Sequence, residues 1–131
     1  MKRYEDLGLR GRLKAIPYDG GALEIRHTAQ EVTFLGVPDQ PDYGQVDILI
    51  HPGDQVPELK SLKEYFFGWR DVVVSYERFL DVVYGDLMTV YAPRRLRLSL
   101  KTNVRGGISS EITVDSDWSV RGGRDEFKNW E

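Results

Sequence analysis

The sequence predicts an α+β fold in which two helices cover one face of a four-stranded antiparallel sheet. Three observations support this prediction. Apolar residues alternate with a period of two in the segments on either side of the chain's middle, whereas the middle itself repeats with a period of about 3.6. Glycine and proline separate these segments. The order is therefore strand, strand, helix, helix, strand, strand, which favours a single sheet with both helices on one side.

The chain has 131 residues and a net charge of −3, and it contains no cysteine. This length fits one domain, which we place at residues 22–118, between an N-terminal extension (1–21) and a polar C-terminal tail (119–131). The lack of cysteine excludes disulfides, thiolate metal ligands and cysteine nucleophiles. We see no signal peptide and no apolar run of about 18 residues, so we expect a cytoplasmic protein without a membrane partner. The acidic net charge argues against tRNA as a partner.

Strand-like segments come first. Residues 22–27 alternate between apolar and polar types, and residues 32–35 form a further apolar stretch. Residues 36–42 contain two prolines, which predicts a turn. Alternation resumes over residues 45–51. The positions that share its apolar face are Val46, Ile48 and Ile50.

Two helices follow. We expect the first over residues 58–70, with Pro57 near its first position, and the second from about Ser75 to the residues before Pro93. The first apolar stripe consists of Leu59, Leu62, Tyr65, Phe66 and Trp69. The second consists of Phe79, Val82, Val83, Leu87, Val90 and Tyr91.

A hairpin closes the sheet. Leucines alternate with basic residues over residues 94–101, and Ile108, Ile112 and Val114 continue the strand pattern after a Gly106-Gly107 turn. Such a sheet has two open edges, and an open edge invites pairing with another chain. We therefore expect closure through a symmetric ring of subunits.

Few residues stand out for chemistry. His27 and His51 are the only histidines and lie on different predicted strands, so we expect no metal site. Asp42 and Glu77 flank predicted elements, where each could act as a general acid or as a hydrogen-bond anchor. Local structure alone could also explain why these two residues occur at these positions, because Asp is common in turns and Glu is stabilised in a first helical turn.

A basic strand is the other candidate feature. Arg94, Arg95, Arg97, Lys101 and Arg105 could bind phosphates, or could form a solvated face that neighbouring acids balance, and we favour the second interpretation. The lysines of the first helix are typical of a solvated helix face. Phosphate-loop and dinucleotide-fold motifs are absent.

Residues 58–65, Glu-Leu-Lys-Ser-Leu-Lys-Glu-Tyr, resemble the signature of the QueF family, the NADPH-dependent reductases of 7-cyano-7-deazaguanine in queuosine biosynthesis. Residues 40–42 resemble the end of the family's Cys-Pro-x-Thr-Gly-Gln-Pro-Asp segment, and Glu77 falls where the family has its substrate-binding Glu. Residues 105–109 resemble its Arg-Gly-Gly-Ile-Ser turn. These matches follow the family order over residues 33–110.

The resemblance implies a tunnel fold, in which such units assemble into a homo-oligomeric barrel, as a pentameric ring or a decamer. It implies an oxidoreductase whose small-molecule partner is a purine-like base used in tRNA modification. Asp42 would be the catalytic general acid, and Glu77 would bind the amidine-like edge of the base, with Tyr76 and Leu35 also in the pocket. NADPH would be the cofactor, with no metal. Its site would contain Glu58, Lys60, Ser61, Lys63, Arg105 and Gly106.

Two departures from the family pattern affect the chemistry. Leu35 stands seven residues before Asp42, where the family has its nucleophilic cysteine, and Tyr76 replaces the histidine of its Phe-His-Glu. The family mechanism adds the thiolate to the nitrile and reduces the thioimide, an adduct that leucine cannot form. Three interpretations stay open: an enzyme in which Asp42 and Tyr76 supply acid–base chemistry without an adduct, a binding subunit that partners a cysteine-bearing relative, or a scaffold with a vestigial pocket.

Overall fold

The computed structural model describes residues 4–38 and 40–117 of the chain. Its elements include the predicted ones and add short segments near the N terminus and before the first long helix. In chain order they are α1 (Tyr4–Leu7), a 3-10 turn (Leu9–Arg12), β1 (Ala15–Pro17), β2 (Ile25–Val37), β3 (Gln40–His51), β4 (Gln55–Pro57), α2 (Leu59–Phe67), α3 (Tyr76–Tyr91), β5 (Arg95–Thr102) and β6 (Glu111–Asp115).

The main sheet has the strand order β2-β3-β5-β6 with every neighbouring pair antiparallel, which confirms the predicted sheet. Helix α2 packs near β2, and α3 packs on β5 and β6. The apolar faces of β3 and β5 form the base of the core. Their buried residues are Val46, Ile48, Ile50, Leu96, Leu98 and Leu100.

The β2–β3 hairpin is longer than the sequence predicts. The expected turn over residues 36–42 is wrong, because β2 runs without a break to Val37 and residues 40–42 already belong to β3. Pro41 is tolerated because Leu35, opposite it, uses its backbone N–H and C=O to bond Val72 and Val74 instead of β3. The pairing of β3 with β5 begins only at Gly44, so Pro41 removes no bond there either.

Caps define where the two long helices begin. The side chain of Glu58 accepts hydrogen bonds from the backbone N–H groups of Lys60 and Ser61, so Pro57 precedes the cap instead of lying inside α2. Helix α2 ends at Phe67 and not at the predicted residue 70. Ser75 caps α3 as predicted, with its Oγ accepting from the N–H of Arg78 at 3.1 Å.

The predicted helix stripes are buried except at their margins. In α2, Leu62, Tyr65 and Phe66 are buried, whereas Leu59 is 60 % exposed because it lies at the first helical position, at the mouth of a groove beside β2. In α3, Val82 and Val90 are only half-buried. The fully buried members of its stripe are Phe79, Val83, Leu87 and Tyr91.

The β5–β6 turn is tight. Gly106 and Gly107 both have positive φ, at 57° and 80°, and backbone bonds between Arg105 and Ile108 close the turn. The expectation that Ile108 continues a strand is wrong, because it lies in this turn with its side chain in solvent and β6 begins at Glu111. The turn thus directs Arg105 back toward β3.

The N-terminal segment contributes to the core. Leu9 and Leu13 are buried, and strand β1 pairs with β4. Arg10 Nε donates to Asp86 Oδ1 at 2.8 Å, which ties this segment to α3. The predicted tail, residues 119–131, lies outside the described residues. Among the residues that the structure describes, no helix combines the length and apolar character needed to cross a membrane.

Candidate functional site

A buried carboxylate lies where β3, the β5–β6 turn and the start of α3 meet. Asp42 is 6 % exposed, and its Oδ1 forms an ion pair with Nη1 of Arg105. The phenol of Tyr76 interacts electrostatically with the same carboxylate. Burial, and then this interaction, raise the pKa of the Tyr76 phenol, and the hydrogen bond to Asp42 raises the pKa of Arg105. The cluster therefore combines a carboxylate, the guanidinium paired with it and a phenol whose raised pKa keeps it protonated at neutral pH.

Aromatic packing fixes the position of Tyr76. Its ring meets Phe34 edge-on, with ring centroids 5.6 Å apart, and Phe34 stacks on Phe79 at 4.5 Å. Phe34 also lies directly across the hairpin from Asp42. The sheet and α3 thus hold the phenol and the carboxylate against each other.

Leu35 lies on the opposite face of β2 from this cluster. Since side chains alternate along a strand, the residue after Phe34 points away from Asp42, and Leu35 lines a groove that also contains Pro41. The residue that faces the carboxylate is Gly36, where an added Cβ would collide with Asp42 Oδ2. The sequence does not mark Gly36 as a site residue, because the register shift between Leu35 and Val37 is not visible in the residue spacing.

Glu77 follows Tyr76 in the first turn of α3, and its side chain is exposed. It can therefore accept N–H donors from a ligand. Of the predicted site residues, the structure brings Asp42, Tyr76 and Arg105 into contact, with Glu77 and Gly106 each adjacent in sequence to a member of this cluster. The predicted cofactor residues of α2 form a separate group.

Two of those α2 residues have structural partners. Ser61 is 2 % exposed, and its Oγ accepts from the N–H of Lys14 at 2.9 Å and donates to the carbonyl of Glu58 at 2.8 Å. Glu58 caps the helix, and the backbone N–H of Ser61 is the main cause of its lowered pKa. Lys60 and Lys63 are exposed. Within the signature, Glu58 and Ser61 therefore stabilise the start of the helix, whereas Lys60 and Lys63 face solvent.

A groove of about 540 Å³ runs between α2 and β2. The guanidinium of Arg70 lies 4.5 Å from the centroid of the Phe67 ring at this groove, and Lys63 also lines it. Apolar walls with two nearby cations fit a planar ring that carries phosphates. NADPH has this chemistry, so the residues present suit the cofactor that the resemblance implies.

The basic strand is balanced by acids, as the favoured interpretation predicts. Arg95 and Arg97 donate to Asp115 at 2.8 and 3.1 Å, and Lys101 lies 3.1 Å from Asp47. These guanidinium and ammonium groups have carboxylate partners within the sheet. Because Arg95 and Arg97 share one carboxylate, these pairs neutralise two of the three cations.

The two histidines do not come together. His51 Nε2 lies 2.9 Å from Glu24, and burial lowers the pKa of His27 in β2. Within residues 4–38 and 40–117, no group of three or more His, Asp or Glu side chains is placed to hold a metal ion.

The antiparallel sheet with two helices on one face, and with the buried Asp42 carboxylate at one end, is the arrangement expected of a tunnel-fold protein. The chain belongs to the family described as QueF-like protein, whose model matches residues 41–121. A solved structure of the archaeosine synthase QueF-Like in the apo form superposes with a TM-score of 0.62 at 13 % identity, covering 76 % of this chain and 96 % of that one. That likeness confirms the predicted tunnel fold.

Curated relatives carry the name NADPH-dependent 7-cyano-7-deazaguanine reductase. The protein of Thermotoga maritima is 35 % identical over 109 residues, which cover 79 % of this chain and 77 % of the relative. The protein of Chlorobaculum tepidum is 36 % identical over 74 residues, which cover 56 % of this chain and 63 % of the relative. The predicted family resemblance is thereby confirmed.

Proposed function

We propose that this chain binds a 7-deazaguanine-type base such as 7-cyano-7-deazaguanine, in the biosynthesis of the modified tRNA base queuosine. The observation that carries the proposal is the buried Asp42 cluster beside Glu77, in a chain that belongs to the QueF-like family. The family's curated relatives are named for action on this base.

The residues of the cluster suit a guanine-like ring. The carboxylate of Glu77 can accept two N–H donors from the amidine-like edge of the base. Asp42 and Tyr76 form an acid–base pair in which Tyr76 holds a proton beside the carboxylate. A base bound between the start of α3 and the β5–β6 turn would contact both groups.

The cofactor would be NADPH, which supplies hydride when it is bound. Lys60 and Lys63 would contact its phosphates, and the groove beside Phe67 would hold a ring. Glu58 and Ser61 would contribute indirectly, because their hydrogen bonds hold the start of α2 in place. Arg105 and Gly106 complete the proposed cofactor residues, at the β5–β6 turn.

The chain contains no cysteine, so it lacks the nucleophile that nitrile reduction through a thioimide requires. Any reduction here would transfer hydride to the nitrile carbon directly, with Asp42 and Tyr76 supplying the proton. Gly36 favours a second candidate function, because the position that faces Asp42 carries no side chain. In that case the chain is a non-catalytic purine- or pterin-binding subunit that partners a cysteine-bearing relative.

Both candidates place the chain in an oligomer. Strands β2 and β6 form the two edges of the sheet, and pairing of such edges between copies would close a barrel. A pentameric ring or a decamer is the assembly we propose. Sedimentation analysis at several protein concentrations tests it, and a monomer at every concentration would contradict it.

Calorimetric titration with 7-cyano-7-deazaguanine tests the proposed binding. We expect the unaltered chain to bind and Glu77→Gln to lose at least about tenfold in affinity, equivalent to about 1.4 kcal/mol. Glu64→Gln is the matched control, because Glu64 is an exposed residue of α2 and its loss should leave affinity unchanged. Absence of binding by the unaltered chain would overturn the proposal.

Consumption of NADPH separates the two candidate functions. An isolated chain that oxidises NADPH in the presence of the base is the enzyme. A chain that binds the base without oxidising NADPH, and that co-purifies with a cysteine-bearing relative, is the subunit.

A further inference from the structure

The groove between α2 and β2 has apolar walls, and two large side chains at its rim are mostly exposed to solvent. Leu59, at the first position of α2, is 60 % exposed, and Phe67, at the last position, is 61 % exposed. Both line the groove, together with the buried Leu62 and Phe66. Exposed apolar surface of this kind commonly marks a place where another protein segment binds.

The C-terminal tail, residues 119–131, contains two residues that suit this surface. Phe127 and Trp130 are its aromatic residues, and they lie three positions apart. Three residues of extended chain span about 10 Å, and α2 rises about 12 Å between Leu59 and Phe67. The two aromatic residues can therefore have the spacing of the two exposed positions at the groove.

The charges of the two segments are also complementary. In the tail, one acidic residue directly precedes the first aromatic residue and another directly follows the second. The groove is lined by the cations Lys63 and Arg70, and neither forms an ion pair with another residue in the described part of the chain. Lys128, between the aromatic residues, has an opposite charge in Glu31 of β2, which also lines the groove. Matching charges of this kind favour one partner and one register.

We propose that the C-terminal tail of a neighbouring copy binds in this groove, with its two aromatic side chains packed against Leu59 and Phe67. The tail begins beyond β6 at one edge of the sheet, whereas the groove borders β2 at the other edge. In the proposed ring these edges meet at one strand spacing, about 4.8 Å. The ten residues from Asp117 to Phe127 can span about 33 Å, so the tail reaches the groove of the next copy. The inference therefore rests on the proposed oligomer.

The contact would also affect the cofactor. The proposed function places a cofactor ring in this same groove, so the tail and the cofactor cannot occupy it together. A groove would then accept NADPH only when the neighbour's tail has left it. Binding of NADPH should weaken binding of the tail, and the reverse, by the same factor.

A labelled peptide of residues 119–131 tests the contact by fluorescence anisotropy. The receptor is the full chain carrying Phe127→Ser and Trp130→Ser, so that its own tail does not compete for the groove. We expect the peptide to bind this chain saturably, and a peptide carrying the same two serines to bind at least tenfold more weakly. Failure of the unaltered peptide to bind would overturn the inference.

Two further variants of the receptor locate the binding surface. Leu59→Ser should weaken peptide binding about tenfold, because an apolar contact is lost. Leu23→Ser is the matched control, since Leu23 is also an exposed leucine and lies outside the groove. Circular dichroism checks that both variants are folded. An unchanged affinity in Leu59→Ser, or an equal loss in both variants, would overturn the assignment to this groove.

Sedimentation identifies the copy that supplies the tail. The full chain with the two tail serines should need at least tenfold higher concentration to assemble than the unaltered chain. Asn129→Ser is the matched control, because Asn129 lies between the two aromatic residues and its loss should leave assembly unchanged. Equal assembly of the double-serine and unaltered chains would overturn the contact between copies. A monomer at every concentration would overturn both this contact and the proposed oligomer, whereas the proposed binding of the base has its own titration.

NADPH added to the peptide complex tests the competition. We expect the peptide to be released as NADPH is added. A peptide that stays bound at saturating NADPH would overturn the competition and the proposed cofactor site together, while the tail contact stands on the peptide titrations.

Discussion

Removal of the Tyr65 hydroxyl should lower the free energy of unfolding by about 1.5–3 kcal/mol, the range for a hydrogen bond to a charged group. Tyr65 is fully buried in α2, and its hydroxyl donates to Oδ2 of Asp86 in α3 at 2.7 Å. Burial, and then the Asp86 charge, raise the pKa of this phenol far above its usual value, so it remains a donor throughout the accessible pH range. Tyr65→Phe would leave a buried carboxylate with one bond fewer.

The second bond to Asp86 should be worth less. Arg10 Nε donates to Oδ1 at 2.8 Å, but the Arg10 side chain is half exposed, and solvent screens such pairs to about 1 kcal/mol or below. We therefore expect Arg10→Gln to cost less than Tyr65→Phe. Because both groups bond the same carboxylate, the double variant should deviate from the sum of the single variants.

Urea unfolding followed by tryptophan fluorescence measures these costs, since Trp69 is buried beside Tyr65. Tyr43→Phe is the matched control, because Tyr43 is an exposed tyrosine of β3 and its loss should change stability by less than about 0.5 kcal/mol. A Tyr65→Phe variant that matches this control, with an unchanged slope in urea, would refute the reasoning.

Three further changes give measurable outcomes. Gly36→Ala should lower the free energy of unfolding by about 1–3 kcal/mol, because the new Cβ would collide with Asp42. Gly85→Ala should raise it by about 0.5–1 kcal/mol, because Gly85 lies inside α3 with open space around it. Thermal unfolding measures both changes. Leu35→Cys should form no thioimide with 7-cyano-7-deazaguanine by intact-protein mass spectrometry, because residue 35 faces away from Asp42. The pKa of Glu58 is lowered in the folded state, so its ionised carboxylate stabilises the fold at pH values above its ordinary pKa of 4.5. This stabilisation is lost as the pH falls through the lowered, folded-state pKa. On acidification, the urea midpoint of Glu58→Gln should therefore fall less than that of the unaltered chain.

Each of these expectations has a contradicting result. Equal melting temperatures for Gly36→Ala and Gly85→Ala would show that Asp42 does not occupy the space beside residue 36. A covalent adduct in Leu35→Cys would place that side chain in the pocket. An unchanged acid response in Glu58→Gln would mean that the helix cap does not hold the carboxylate ionised.

The alternating and helical periods were sufficient to predict the sheet and both long helices. Val46, Ile48 and Ile50 are buried on one face as predicted, because a period of two in an antiparallel strand reports directly on burial. Ser75 was identifiable as the start of α3 because a cap is a local feature that needs no tertiary information.

Features that depend on contacts between distant segments were not predictable. Leu9 and Leu13 are isolated apolar residues in a polar stretch, so no period marks them as core. Pro41 signalled a turn, yet its strand position is permitted by the bonds from Leu35 to Val72 and Val74. The pairing of Arg105 with Asp42 spans 63 residues of sequence and depends on the path of the β5–β6 turn.

The division within the α2 signature changes what that motif can report about a relative. Glu58 and Ser61 are accounted for by the helix start and by the backbone of Lys14, so a chain can keep both residues with no cofactor to bind. Among the described contacts, the side chains of Lys60 and Lys63 form no hydrogen bond or ion pair that stabilises the helix. The informative comparison between two such sequences is therefore at the lysines, and a motif match counted over the whole octapeptide overstates the case for shared chemistry.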